Sequence, residues 1–199
     1  MVPLREPVGM AVSPEIPTAE RFVVSALVQN HPGVLSRISG LFSRRGFNIE
    51  SLSVGETLDP SVSRMTVSAI GDEAVLEQLA RQLEKLEDVL SILRLEPGAG
   101  VFRELVLVKV KATPETRGDI VNIARIFRAR IVDVSRREMI LEITGERPKI
   151  DGLLDLLGPY GIPEIARTGL TALQRGASTL SRPEPAESAP YGAVPTTTL

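Results

Sequence analysis

Few side chains in this 199-residue sequence have the types and spacing that chemistry needs. There is no cysteine, which removes disulfides, thiolate nucleophiles and thiolate metal sites together and fits a reducing compartment. The single histidine, His31, precedes a proline in a turn, and no serine lies in a Gly-x-Ser-x-Gly setting, so a Ser-His-Asp arrangement has nothing to build on. Zinc and iron sites fail on ligand count. No Walker loop is present, and Gly98-Ala99-Gly100 opens no helix, so it reads as a connection and not as a phosphate cradle. Glu77, Glu84, Glu87 and Asp88 fall on or near the polar side of a helix and read as a solvated face.

What remains is the turn Asn30-His31-Pro32-Gly33-Val34-Leu35. It has an architectural reading, with Asn30 as a capping or Asx-turn residue, Pro32 at the first helical position and Gly33 giving backbone room. It also has a chemical reading. A helix N-terminus offers free N–H groups and a positive dipole end to a carboxylate, while the Asn30 side-chain oxygen can accept from an ammonium. One turn can thus hold both ends of a free amino acid, and the string alone leaves both readings open.

The elements that would position this turn follow from periodicity. Prolines crowd the first twenty residues and the stretch from Gly176 onward, so residues 1–20 and 176–199 read as extended, disordered tails. Between them, Phe22–Gln29 reads as a strand, and Val34, Ile38, Leu41 and Phe42 recur with helical spacing up to a stop at Gly46. Residues 47–54 and 62–70 alternate as a hairpin pair, Leu76, Leu79, Leu83 and Leu86 mark a second helix, and 89–95 a last strand. Residues 97–102 read as a linker. The β-α-β-β-α-β order then repeats: strand 104–110, a helix through Ile120, Ile123 and Phe127, strands 130–134 and 138–143, a helix through Ile150, Leu153 and Leu157, and strand 162–168. The expected architecture is α+β, two tandem ferredoxin-like domains over 21–96 and 103–175, each an antiparallel sheet with two helices on one face.

Composition narrows the partners. The chain is 43% hydrophobic with a formal net charge of -2, leaving no cationic excess for phosphates or anionic lipid. RNA-recognition modules share this strand order but stack bases on aromatic residues, and Ser61–Ile70 contains none. No apolar run is long enough to span a bilayer, and residues 1–20 lack the basic start and apolar core of a signal peptide, so a cytoplasmic protein binding neither nucleic acid nor membrane is expected.

Several strings then carry a resemblance: Asn30-His-Pro-Gly-Val-Leu-Ser-Arg37, Gly40-Leu-Phe-Ser-Arg-Arg-Gly-Phe-Asn-Ile-Glu-Ser-Leu52, Ser63-Arg-Met-Thr66 and Arg103-Glu-Leu-Val-Leu-Val-Lys109. Over about residues 21–175 the chain resembles the small regulatory subunits of acetolactate synthase (acetohydroxyacid synthase), whose N-terminal half is an ACT domain. The resemblance implies a chain without catalysis of its own. It implies a homodimer through the ACT domain and a complex with a large catalytic subunit that carries thiamine diphosphate, Mg and FAD, this chain holding no cofactor. It further implies that the catalytic subunit is activated, and that valine or another branched-chain amino acid inhibits by feedback. Carried over by motif, Asn30, Gly33, Val34 and Leu35, with Ser36 nearby, would hold the effector's charged end. Asn48 and Ile49 of the partner chain would close the site. A free-standing ACT-type sensor of another enzyme or regulator is the alternative. An independent enzyme finds no acid, base, nucleophile or metal set, and the thiamine-diphosphate fingerprint comes no nearer than Gly71-Asp72-Glu73.

Overall fold

The computed structural model describes residues 20–44, 46, 48–71 and 73–181. The two proline-rich segments expected to be disordered lie mostly outside the described residues. The first half folds as β1 (Glu20–Gln29), α1 (Val34–Arg44), β2 (Ile49–Glu56), β3 (Val62–Gly71), α2 (Glu73–Leu83) and β4 (Val89–Leu95). Its strands form an antiparallel sheet in the order β2-β3-β1-β4. Alternation sends Phe22, Val24, Ala26 and Val28 to the helix side, where they meet Val34, Ile38, Leu41 and Phe42, the positions that the helical spacing picks out.

The second half repeats the plan with β5 (Gly100–Lys111), α3 (Arg117–Phe127), β6 (Arg130–Val134), β7 (Glu138–Gly145), α4 (Arg147–Leu157) and β8 (Glu164–Arg167). Its sheet runs β6-β7-β5-β8 over a core of Val106, Val108 and Val110 against Ile120, Ile150, Leu153 and Leu157. The chain is therefore two ferredoxin-like α+β domains in tandem.

The structure departs from the periodicity at the junction. Residues 96–99 close a tight turn, the Ala99 N–H donating to the Glu96 carbonyl at 3.0 Å, and β5 already begins at Gly100, inside the stretch read as a linker. The reason is a strand absent from the sequence reading, β9 (Thr171–Gln174), which pairs antiparallel with Gly100–Arg103. This two-stranded ribbon lies over the sheet face of the first domain that its own helices leave bare. There Phe102, Leu170 and Ala172 pack on Val23, Leu93 and Leu95. Two serines of β2 secure the ribbon's backbone: the Leu170 N–H donates to Ser51 Oγ at 3.1 Å, and the Ser53 hydroxyl donates to the Leu170 carbonyl at 2.8 Å. Gly169 takes φ +78° there, and a Cβ on it would stand 3.3 Å from the Leu52 carbonyl oxygen, so both the conformation and the close approach ask for glycine.

A β-bulge adds a charged contact to this joint. In the β2–β3 pairing Ile49 opposes Ala69 and Ser51 opposes Ser68, so Glu50 is the extra residue. Its mostly buried carboxylate accepts two hydrogen bonds of 2.6 Å from Arg21 and another from Arg147 at the start of α4. Burial raises the Glu50 pKa, but the hydrogen bonds and charges of Arg21 and Arg147 outweigh it and hold the group below the usual carboxylate range. A carboxylate with a depressed folded-state pKa contributes stability above its unfolded value and loses it as pH falls through the folded one. Acid should therefore loosen the domain junction below about pH 4. Glu50→Gln should cost about 1–2 kcal/mol at neutral pH and flatten that acid limb. Thermal melts of both proteins across this range check it, and parallel profiles would exclude Glu50 as their source.

Candidate functional site

The Asn30 turn sits where β1 hands over to α1, beside the hairpin that joins β2 to β3. Its placement comes from cross-chain hydrogen bonds. The Asn30 N–H donates to the Ser61 carbonyl at 2.8 Å, and its side-chain Nδ2 donates to the Pro60 carbonyl at 2.9 Å and to Glu56 Oε1 at 3.2 Å. The side chain is thereby held by its amide nitrogen, and among the described residues nothing donates to its oxygen.

Gly33 has φ +95° with no heavy atom within 4 Å of where a Cβ would stand, so the backbone conformation, and not crowding, selects glycine. The Val34 N–H reaches the His31 carbonyl only at 3.5 Å, and the first good helical bond is from Arg37 to the Gly33 carbonyl at 3.0 Å. Among the described residues the Leu35 and Ser36 amides have no backbone partner, as expected for an uncapped helix start. Val34, Leu35, Ile38, Val54 and Met65 line a recess of about 80 Å³ next to Asn30. Free amide donors at a helix N-terminus, an amide oxygen and a small apolar recess therefore converge, which is the set that a small aliphatic amino acid needs.

Asn48 and Ile49 are not part of that set within one chain. Asn48 is exposed just before β2, and Ile49 packs partly buried against the first core. Both lie at the opposite end of β2 from Glu56, roughly 20 Å away at the usual strand rise. β2 is an edge strand of its sheet, and next to the turn Val54 and Leu35 are about half exposed, at 48% and 49%.

Sequence reasoning assigned Asp88 to a solvated helix face, and the structure corrects this. Asp88 is buried after α2, its carboxylate 3.1 Å from His31 Nε2 and accepting from Arg37 at 2.8 Å. It ties both ends of the His31–Arg37 segment to the α2–β4 connection. The pattern of charges on α2 could not show this, because the partners are more than fifty residues upstream. Glu56 was missed for the same reason. Among the described residues, no group of three or more His, Cys, Asp or Glu is placed to hold a metal ion, and no helix is long and apolar enough to cross a membrane.

Comparison with known proteins decides the family. Residues 24–91 match the family model described as the AHAS small subunit-like ACT domain, and residues 103–176 the model for the small subunit of acetolactate synthase. The acetolactate synthase small subunit of Mycolicibacterium smegmatis is 48% identical over 153 residues, which cover 77% of this chain and 90% of that protein. The chain belongs to the acetolactate synthase small-subunit family. The small subunit from Bacillus subtilis is 48% identical over 155 residues, covering 77% and 90% of the two chains. The crystal structure of the acetolactate synthase small subunit from Thermotoga maritima superposes with a TM-score of 0.74 at 40% identity, over 80% of this chain and 99% of that one.

Removing the Asp88 carboxylate should loosen the start of α1. Arg37 and His31 are exposed enough to rehydrate, so Asp88→Ala should cost about 1–2 kcal/mol and not the larger penalty of a stranded buried charge. A fall in Tm of about 2–8 °C is the expected reading by calorimetry. An unchanged Tm would show that the bridge does not hold the turn.

Proposed function

We propose that this chain is the non-catalytic regulatory subunit of acetolactate synthase. In this reading it binds and activates the large catalytic subunit, which keeps the thiamine diphosphate, Mg and FAD. It confers feedback inhibition by valine or a related branched-chain amino acid at the Asn30 turn. The observation that carries the effector reading is the convergence at that turn of the unpaired Leu35 and Ser36 amides, the free Asn30 oxygen and the small apolar recess.

The second half of the site comes from a copy of the chain. β2 is an edge strand with Asn48 and Ile49 at one end and Glu56, bonded to Asn30, at the other. Antiparallel pairing of two β2 edges about a two-fold axis sets the Asn48 end of one strand beside the Asn30 turn of the other, and joins two four-stranded sheets into one. The exposed Val54 and Leu35 become buried by that pairing. Two effector sites result, each shared between protomers.

Coupling follows from chain continuity. Glu50 directly follows Asn48 and Ile49, and its carboxylate holds Arg147 of the second domain. An effector that shifts the Asn48–Ile49 segment therefore acts on the domain junction. It changes activity only by its different affinity for two arrangements of the assembly.

Burying an isopropyl group contributes about 1.5–3 kcal/mol, and each charge-assisted hydrogen bond about 1.5–3 before ordering costs, so a Kd between about millimolar and micromolar is expected. Calorimetric titration of the purified chain with valine should show saturable binding that Asn30→Ala weakens at least about tenfold, a loss of about 1.4 kcal/mol. Gly33→Asp should abolish binding, because its carboxylate occupies the ligand's carboxylate space and repels it. Retained valine binding, or valine inhibition of the reconstituted complex, with Gly33→Asp would remove the turn from consideration.

A further inference from the structure

Of the string Ser63-Arg-Met-Thr66, Ser63 and Met65 line the recess beside Asn30, whereas Arg64 does not. Met65 faces the helix-side core, so Arg64 and Thr66 point to the opposite sheet face, the one partly covered by the β9 ribbon. The ribbon ends short of Arg64. What is left is an open pocket of about 800 Å³ over the end of the sheet, with Leu27, Val62, Leu173 and Leu180 on its walls.

Among the described residues Arg64 is the only cation lining this pocket. Its guanidinium is partly buried, donates to Ser25 Oγ at 3.3 Å, and pairs with no carboxylate among the described residues. Arg21, Arg37, Arg147 and Arg167 each have a carboxylate in contact, and Arg117, also partly buried, is held by the carbonyls of Ser135 and Arg136. Burial also pulls the Arg64 pKa below the ordinary guanidinium value. A partly buried guanidinium beside Leu27, Leu58, Leu173 and Leu180, paired with no carboxylate among the described residues, has N–H donors to offer, and a bidentate carboxylate is the group that matches its fork.

The two acids at the rim are engaged elsewhere. Glu56 Oε1 accepts from Asn30 at 3.2 Å, and Asp59 Oδ1 accepts from the Ser61 N–H at 2.9 Å and its hydroxyl at 2.7 Å. They do not neutralise Arg64, but their negative field disfavours a ligand with more than one anionic group, phosphates included. Aliphatic walls with one cation at the base and a negative rim define a narrow chemical class.

We propose that Arg64 anchors a second ligand site, distinct from the Asn30 turn, which binds a small monocarboxylate with a branched aliphatic body. A free amino acid and the corresponding 2-oxo acid share that chemistry.

The test is titration of the full chain, by calorimetry and ligand-observed NMR, with isovalerate, 3-methyl-2-oxobutanoate, valine and, as the neutral control, isovaleramide. At least one acid should bind saturably by about ten millimolar while the amide does not. Arg64→Met should weaken that binding at least about tenfold, and Asn30→Ala should leave it in place. Arg64→Met also removes the donor to the buried Ser25 hydroxyl, so a Tm lower by about a few degrees is expected, and the titrations are run well below it. The proposal is overturned if none of the acids binds, if binding survives Arg64→Met, or if valine alone binds and Asn30→Ala abolishes it. Loss of valine binding in Asn30→Ala with the Arg64-dependent binding intact, or the reverse, separates the two sites.

Discussion

A four-stranded sheet with both helices on one side has a second face, and the requirement that this face be covered governs how the two halves of the chain meet. Val23, Leu93 and Leu95 would be wet apolar surface in an isolated first domain, and Phe102, Leu170 and Ala172 of the β5–β9 ribbon bury them. The ribbon in turn has backbone groups that must be satisfied, and Ser51 and Ser53 satisfy those of Leu170. Glu50, placed by the β2 bulge, adds a charge pair between the domains at the same junction. Apolar burial supplies the adhesion here, while the serines and the glutamate fix the register.

That joint gives the proposed regulation a physical route. The segment expected to close the effector site from a partner chain, Asn48 and Ile49, is contiguous with the residue that grips the second domain. A small displacement at the β2 edge therefore has a short path to the position of α4, and it does not require a long chain of packed side chains.

The two domains share a plan but anchor the loops ahead of their first helices differently. Ahead of α3, Thr113 and Thr116 bond to each other within their own loop, the Thr113 N–H donating to Thr116 Oγ1 at 3.0 Å. Ahead of α1 the Asn30 side chain is drawn to the neighbouring hairpin, and the Leu35 and Ser36 amides stay open. The His31–Asp88–Arg37 bridge holds that open turn in place without filling it. Rigidity and vacancy at one helix end are the combination that ligand binding needs, since a preorganised site has less ordering entropy to lose.

The sequence by itself determined the element order, the duplication, the helix faces and the turn, because these rest on local spacing: Val34, Ile38, Leu41 and Phe42 can face only one way on a helix. Its strings also carried the family. Periodicity reports which face is apolar but not what lies against it, so the four-residue β9, the role of Ser51 and Ser53, and the partners of Glu50 were invisible before the fold. Asp88 was misplaced on the solvated side for the same reason, since its partners His31 and Arg37 arrive from the start of α1, more than fifty residues upstream. Arg64 was legible as part of a motif, yet only the packing shows that no carboxylate among the described residues pairs with it. Local order followed from the spacing of side chains, whereas every charge pairing that matters here joins residues tens of positions apart and was decided by tertiary structure alone.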